Sequence, residues 1–258
     1  MRKMTSGAIT WRAVLRCRGE GNVNNPGVLR FGGRAAIAVG VLYLLVGATH
    51  FLMPRAQLRG AEGVDGDFFL SLSREETVFQ LHYWIVVVLA LLTLAVVAAF
   101  RELLRRGKPN GPAAWAVTLG FFGAALMALD FAQFGAAAPR LAAAYAAADP
   151  PTRLLLAAIG VPHSDPCFFA YGLLAGFALT VNAALWRRRL LPRPLAAVGV
   201  LGGGLYLLLF AGSLLHAPLL VDVAVGVGGL VAAPVWYVWS GAVLIRKSRS
   251  YPARNPEG

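Results

Sequence analysis

Charge punctuates this chain in blocks rather than alternating with apolar residues. Uncharged, mainly apolar runs of about 20 residues, the length that crosses a bilayer at 1.5 Å per residue, occur at approximately 34–53, 82–100, 113–134, 166–186, 194–216 and 222–245. The pattern predicts an all-α fold, a polytopic transmembrane bundle of six helices over 34–247. A basic tail without fixed structure (1–33) is expected before it, and a short C-terminal tail (248–258) after it. In the connections, Ser73-Arg-Glu-Glu76 has the spacing of a capping box that would open the second helix ahead of the bilayer. The Ala-rich stretch from Leu141 to Ala148, closed by Asp149-Pro-Pro151, reads as one short interfacial helix and 152–159 as a second. Similar starts at Arg34, Pro112 and Pro194 suggest three hairpin pseudo-repeats.

Composition agrees with the spans. A hydrophobic content of 58%, only 14% charged residues and a mean hydropathy of +0.64 argue against a water-soluble domain. The net charge of +12 comes without basic clusters interleaved with aromatics, so no nucleic-acid partner is expected. The charge instead sets a topology. Nineteen Lys and Arg fall in 1–34, 101–108, 187–193 and 246–254, against five in the alternate segments, Arg55, Arg59, Arg74, Arg140 and Arg153. Retention of positive charge inside places both termini in the cytoplasm, with a bacterial cytoplasmic membrane as the expected location. Arg105-Arg106 and Arg187-Arg-Arg189 would then anchor on anionic lipid headgroups, membrane lipids being the expected partners and a homo-oligomer an open possibility. Two cysteines, Cys17 and Cys167, fall on opposite sides and are not expected to pair, and no cleaved signal peptide is read at the start.

This topology puts all four histidines at outer helix ends: His50, His82, His163 and His216. Asp130 and Gln133 end the third span, Asp165 adjoins His163, and Asp222 opens the sixth. Imidazoles and carboxylates suit a metal or haem, while helix ends also collect polar residues simply because they reach water. No His pair has the i, i+3 or i, i+4 spacing of a helical metal motif. Asp130 is flanked by apolar residues and needs a partner below the interface, with His50, His82 and Tyr171 nearest by depth. It is either a proton carrier or a structural tether. His163-Ser-Asp-Pro-Cys167 reads as a helix entrance with a capping Ser164 or Asp165 rather than a catalytic cluster. Gly172 and Gly176 form a GxxxG packing pair, with Gly202-Gly-Gly204 and Gly226, Gly228 and Gly229 as further small faces. Trp186, Trp236, Tyr237 and Trp239 read as an interfacial belt.

Four stretches carry a family resemblance: Arg34 to Gly47, His163 to Gly176, Trp186-Arg-Arg-Arg-Leu-Leu-Pro-Arg-Pro-Leu-Ala, and Val235 to Lys247. They resemble a large family of uncharacterised bacterial membrane proteins, a domain of unknown function with about six helices. The resemblance implies the fold and topology and supplies no activity. The primary expectation is therefore a small-ligand-binding protein or membrane-complex subunit with an outward-facing polar site, rather than a catalyst of an identified reaction. The alternatives are a metal or haem protein using the histidines, and a proton-coupled transporter using Asp130.

Overall fold

The computed structural model describes residues 25–58, 65–105, 111–162, 164–165 and 168–250; His163, Cys17 and Cys167 lie outside them. Among the described residues all regular structure is helical. In chain order the elements are α1 (Pro26–Leu52), α2 (Arg55–Leu58), α3 (Gly66–Arg74), α4 (Thr77–Leu104) and α5 (Gly111–Ala147). Then come α6 (Pro150–Ile159), α7 (Phe169–Arg187), α8 (Arg193–Leu214) and α9 (Pro218–Val223), a π-helical segment (Ala224–Ala232) and α10 (Ala233–Arg249). Six are long and apolar enough to cross a membrane, α9 to α10 counting as one continuous span. The chain is a multi-pass membrane protein.

The spans run further than their apolar runs. Helix α1 starts at Pro26 because Asn25 accepts hydrogen bonds from the amides of Gly27 and Val28, and proline suits the first turn. Helix α5 runs unbroken through Pro139 to Ala147, so the separate helix expected at 141–148 is instead its last turns. At 37 residues it is about 55 Å long, well beyond a hydrocarbon core of roughly 30 Å. Its overhang is clothed by α3, whose Phe68, Phe69 and Leu72 bury themselves with Phe79, Phe134, Ala138 and Ala142. The expected capping box does not form. Ser73 lies in the last turn of α3 with its hydroxyl returned to the Leu70 carbonyl, and α4 opens without a side-chain cap; the capped helix is α3, whose Asp65 accepts from the amide of Phe68. Helix α6 is present as expected, with Asp149 accepting from the Thr152 amide; the Thr152 side chain and then that amide hold its carboxyl below the usual range.

Backbone-close packing centres on α1. A Cβ at Gly32 would lie 2.7 Å from the Ala95 carbonyl oxygen of α4, and one at Gly33 would lie 2.9 Å from the Gly241 oxygen of α10. Gly40 and Gly47 continue the second contact at seven-residue intervals, against Pro234 and Val238 and then Leu230. The anticipated GxxxG pair behaves differently: Gly172 faces Phe210 and Gly176 faces Leu119, on two separate helices. Gly203 and Gly228 are packed, whereas a Cβ at Gly202, Gly204, Gly226 or Gly229 would meet nothing within 4 Å. The π-helical turns end where Pro234 removes an amide donor and its ring excludes an α-register bond to Leu230.

Candidate functional site

The two ends of the bundle differ in chemistry. The amide of Asn25, which caps α1, donates to Glu102 of α4, and Arg188, just past the end of α7, donates to the Leu104 carbonyl, defining an arginine-rich end. Thr49 of α1 meets His82 of α4 at the other, histidine end.

Asp130 at the histidine end is buried, and its partner is neither of the expected histidines. Its Oδ1 accepts the backbone amides of Ser164 and Asp165 at 2.8 and 2.9 Å. Asp165 in turn accepts from the amides of Phe169 and Ala170 at 2.6 and 2.7 Å, closing the entrance of α7. Ser164 donates its hydroxyl to Gln133, one turn beyond Asp130. Two carboxylates in series thus pin the connection before α7 onto α5, supplying anionic acceptors to amides that the bilayer could not solvate. Tyr171 and Tyr83 lie within electrostatic reach of Asp130.

The histidines separate into distinct roles. His50 and His82 approach with ring centroids 6.2 Å apart, and the Thr49 hydroxyl lies 2.9 Å from Nδ1 of His82. Asp222, on the exposed surface of α9, is within electrostatic reach of His50. His216 is exposed and holds a left-handed φ of 52°. The following amide of Ala217 reaches the Gly212 carbonyl and that of His216 reaches Ser213, the bonding of a Schellman helix terminus. Arg189, φ 54°, ends α7 in the same way. Among the described residues no group of three or more His, Cys, Asp or Glu side chains is placed to hold a metal ion.

Sequence reasoning singled out Tyr171 beside Asp130 and read Tyr237 as belt, but it missed Tyr43 and Tyr206 and the grouping of all four. Tyr43 and Tyr206 share a hydrogen bond of 2.5 Å. Tyr237 stacks on Tyr43 with centroids 5.6 Å apart and turns its hydroxyl toward Thr93 and Tyr206. Tyr171 meets Tyr206 edge-on at 5.5 Å. Hydroxyls from α1, α4, α7, α8 and α10 therefore gather inside the bundle, beginning beneath Asp130. Trp236 and Tyr237 belong to this core, 6% and 5% exposed, which corrects their reading as an interfacial belt; Trp186 and Trp239 are the outward-facing pair. The indole of Trp236 is held by Asn182, 3.2 Å away, which itself bonds the Ala178 carbonyl at 2.8 Å. Beside this group a crevice of about 30 Å³, lined by Tyr206, Tyr237, Trp236, Gly199, Gly202 and Gly203 among others, opens between α7, α8, the π-helical turns and α10. A tyrosine in mid-span is the signal that was available, since its hydroxyl needs a partner there.

A family model covers residues 38–246, from the fourth turn of α1 into the last turn of α10. The chain belongs to that family, described as a domain of unknown function (DUF4386). No curated protein and no solved structure matches the chain. The DUF4386 segment contains the whole histidine end, the Asp130 anchor and the tyrosine group, and it leaves Arg30, Arg34 and Arg249 outside its limits.

The anchor within the DUF4386 segment has a measurable cost of removal. Asp130→Ala strips the buried amide of Asp165 and the partly buried one of Ser164 of an anionic acceptor and is expected to lower unfolding stability by about 2 kcal/mol. Asp130→Asn keeps one amide oxygen in place and should recover about half of that loss. Denaturant unfolding of the purified protein in micelles measures both, and an Asp130→Ala variant as stable as the unaltered chain would contradict the anchor.

Proposed function

We propose that this chain is a bacterial cytoplasmic-membrane protein, with both termini inside, that holds a small uncharged ligand in the crevice beside its tyrosines. The observation that carries the reading is the convergence of Tyr43, Tyr171, Tyr206 and Tyr237 next to that crevice. Hydroxyls donate and accept without ionising, so they suit a neutral hydrogen-bonding group better than a charged one. A volume of about 30 Å³ holds on the order of two waters, enough for a hydroxyl or carbonyl head. The open face at Gly202 leaves room for an apolar body on the bilayer side. Asp130 serves this reading as a structural tether, because its carboxylate is committed to the α7 entrance. Binding, rather than a reaction, is the role that this set of groups supports. The orientation rests on the nineteen-to-five division of Lys and Arg.

Two measurements test these claims. With 1-hexanol as the probe and hexane as the control without a hydroxyl, saturation-transfer NMR in deuterated-lipid nanodiscs should detect hexanol on the unaltered protein. Gly202→Leu, which fills open space, and Tyr206→Phe should each lose at least half of that signal; signals equal to the unaltered protein's would overturn the site. For orientation, Ala147→Cys in a background of Cys17→Ser and Cys167→Ser should react with a membrane-impermeant maleimide in intact spheroplasts. Labelling only after permeabilisation would reverse the topology.

A further inference from the structure

Three arginines meet where α1 and α10 touch at the arginine end. Arg30 and Arg34 stand one turn apart on α1, and Ile245 and Arg249 one turn apart on α10. Together these four side chains line a cavity of about 360 Å³. Their convergence is forced. Gly33 sits between the two arginines of α1, and a Cβ there would lie 2.9 Å from the Gly241 oxygen and 3.2 Å from the Ile245 nitrogen. Backbones this close leave Arg249 facing Arg30 and Arg34.

Like charges one helical turn apart repel, and here a third is added from the neighbouring helix. No carboxylate answers them among the described residues. Glu102 is the one described acid at this end, and it is taken by Arg105 at 3.7 Å and by the Asn25 amide at 3.2 Å. The remaining described acids lie toward the histidine end. A surface cavity lined by three arginines, with no carboxylate among the described residues answering them, is matched by a tetrahedral oxyanion, whose oxygens accept the planar N–H forks. Its depth fits as well. Helix α1 has 27 residues and is about 40 Å long, close to the full thickness of a bilayer with its headgroups, so its first turns lie at phosphate level. Phe31, 64% exposed beside Arg30, offers an apolar flank for an attached chain.

We infer that the Arg30, Arg34 and Arg249 cavity binds a phosphate group, carried by an anionic phospholipid or free in solution. This site is about 30 Å along α1 from His50, twenty residues away, and stands independently of the crevice reading. The test uses the full-length purified protein in detergent, titrated in one arm with phosphatidylglycerol against phosphatidylcholine and in the other with inorganic phosphate, read by native mass spectrometry and thermal unfolding. Arg34→Gln and Arg249→Gln should each weaken binding about ten-fold, the loss of one charge-assisted contact. Arg34→Lys, which keeps charge without the fork, should fall between, and Arg187→Gln, in a separate basic turn, should bind as the unaltered protein does. A variant-sensitive response to phosphatidylglycerol alone assigns the phosphate to lipid, and one shared by inorganic phosphate assigns it to the free ion. Equal binding by the unaltered protein and both Gln variants in the two arms, or an equal loss in Arg187→Gln, would overturn the site.

Discussion

Helix α1 lies with its backbone against two helices at once, and the other features of this bundle follow from that closeness. Lipid tails are as apolar as leucine, so little hydrophobic force drives helices together within a bilayer, and contact must come from tight van der Waals packing. Adjacent glycines serve the two neighbours separately, Gly32 admitting the Ala95 carbonyl of α4 and Gly33 the Gly241 carbonyl of α10. Gly40 and Gly47 extend the second seam toward the histidine end. Between them, Tyr43 is pressed against Tyr237 and reaches Tyr206, while two residues past Gly47 the hydroxyl of Thr49 meets His82. At the opposite end the same seam brings Arg30 and Arg34 to Arg249. One packing constraint therefore assembles a hydroxyl cluster in the core and a basic cavity at the rim.

Polar groups inside the bundle divide into those already committed and those still available. Asp130 and Asp165 are spent on backbone amides at the α7 entrance, where an unsatisfied amide would cost several kcal/mol in a membrane. Asn182 is spent on Trp236 and Ala178. The tyrosine hydroxyls can exchange partners, because each both donates and accepts. That difference is why Asp130, the most conspicuous residue in the sequence, belongs to the architecture, and why the proposed ligand site is placed at the tyrosines.

The membrane class and the number of spans were legible because they rest on length and hydropathy, which are local properties. Helix ends were less so. Pro26 and Ala147 lie beyond the apolar runs because helices continue through the headgroup region, and charge marks only where hydrocarbon stops. The Ser73 to Glu76 pattern misled because α3 ends there; the same residues that open one helix can close another. Aromatic residues at 236 and 237 resembled an interfacial belt because sequence gives depth but not the direction a side chain faces. The seven-residue glycine spacing at 33, 40 and 47 was present in the sequence and is the periodicity of a continuous helix seam. Its partner, Gly241, lies more than 190 residues away along the chain, a pairing that only the fold reveals.

The close approach of α1 and α10 is most directly tested by a double-mutant cycle on Gly33→Ala and Gly241→Ala, with unfolding stability measured in micelles. If each methyl prises the same two backbones apart, the first substitution bears most of the cost and the second adds little, giving a coupling of about 1 kcal/mol or more. Additive effects, within about 0.5 kcal/mol, would mean that the two glycines do not share a contact and would contradict the seam that joins the two helices.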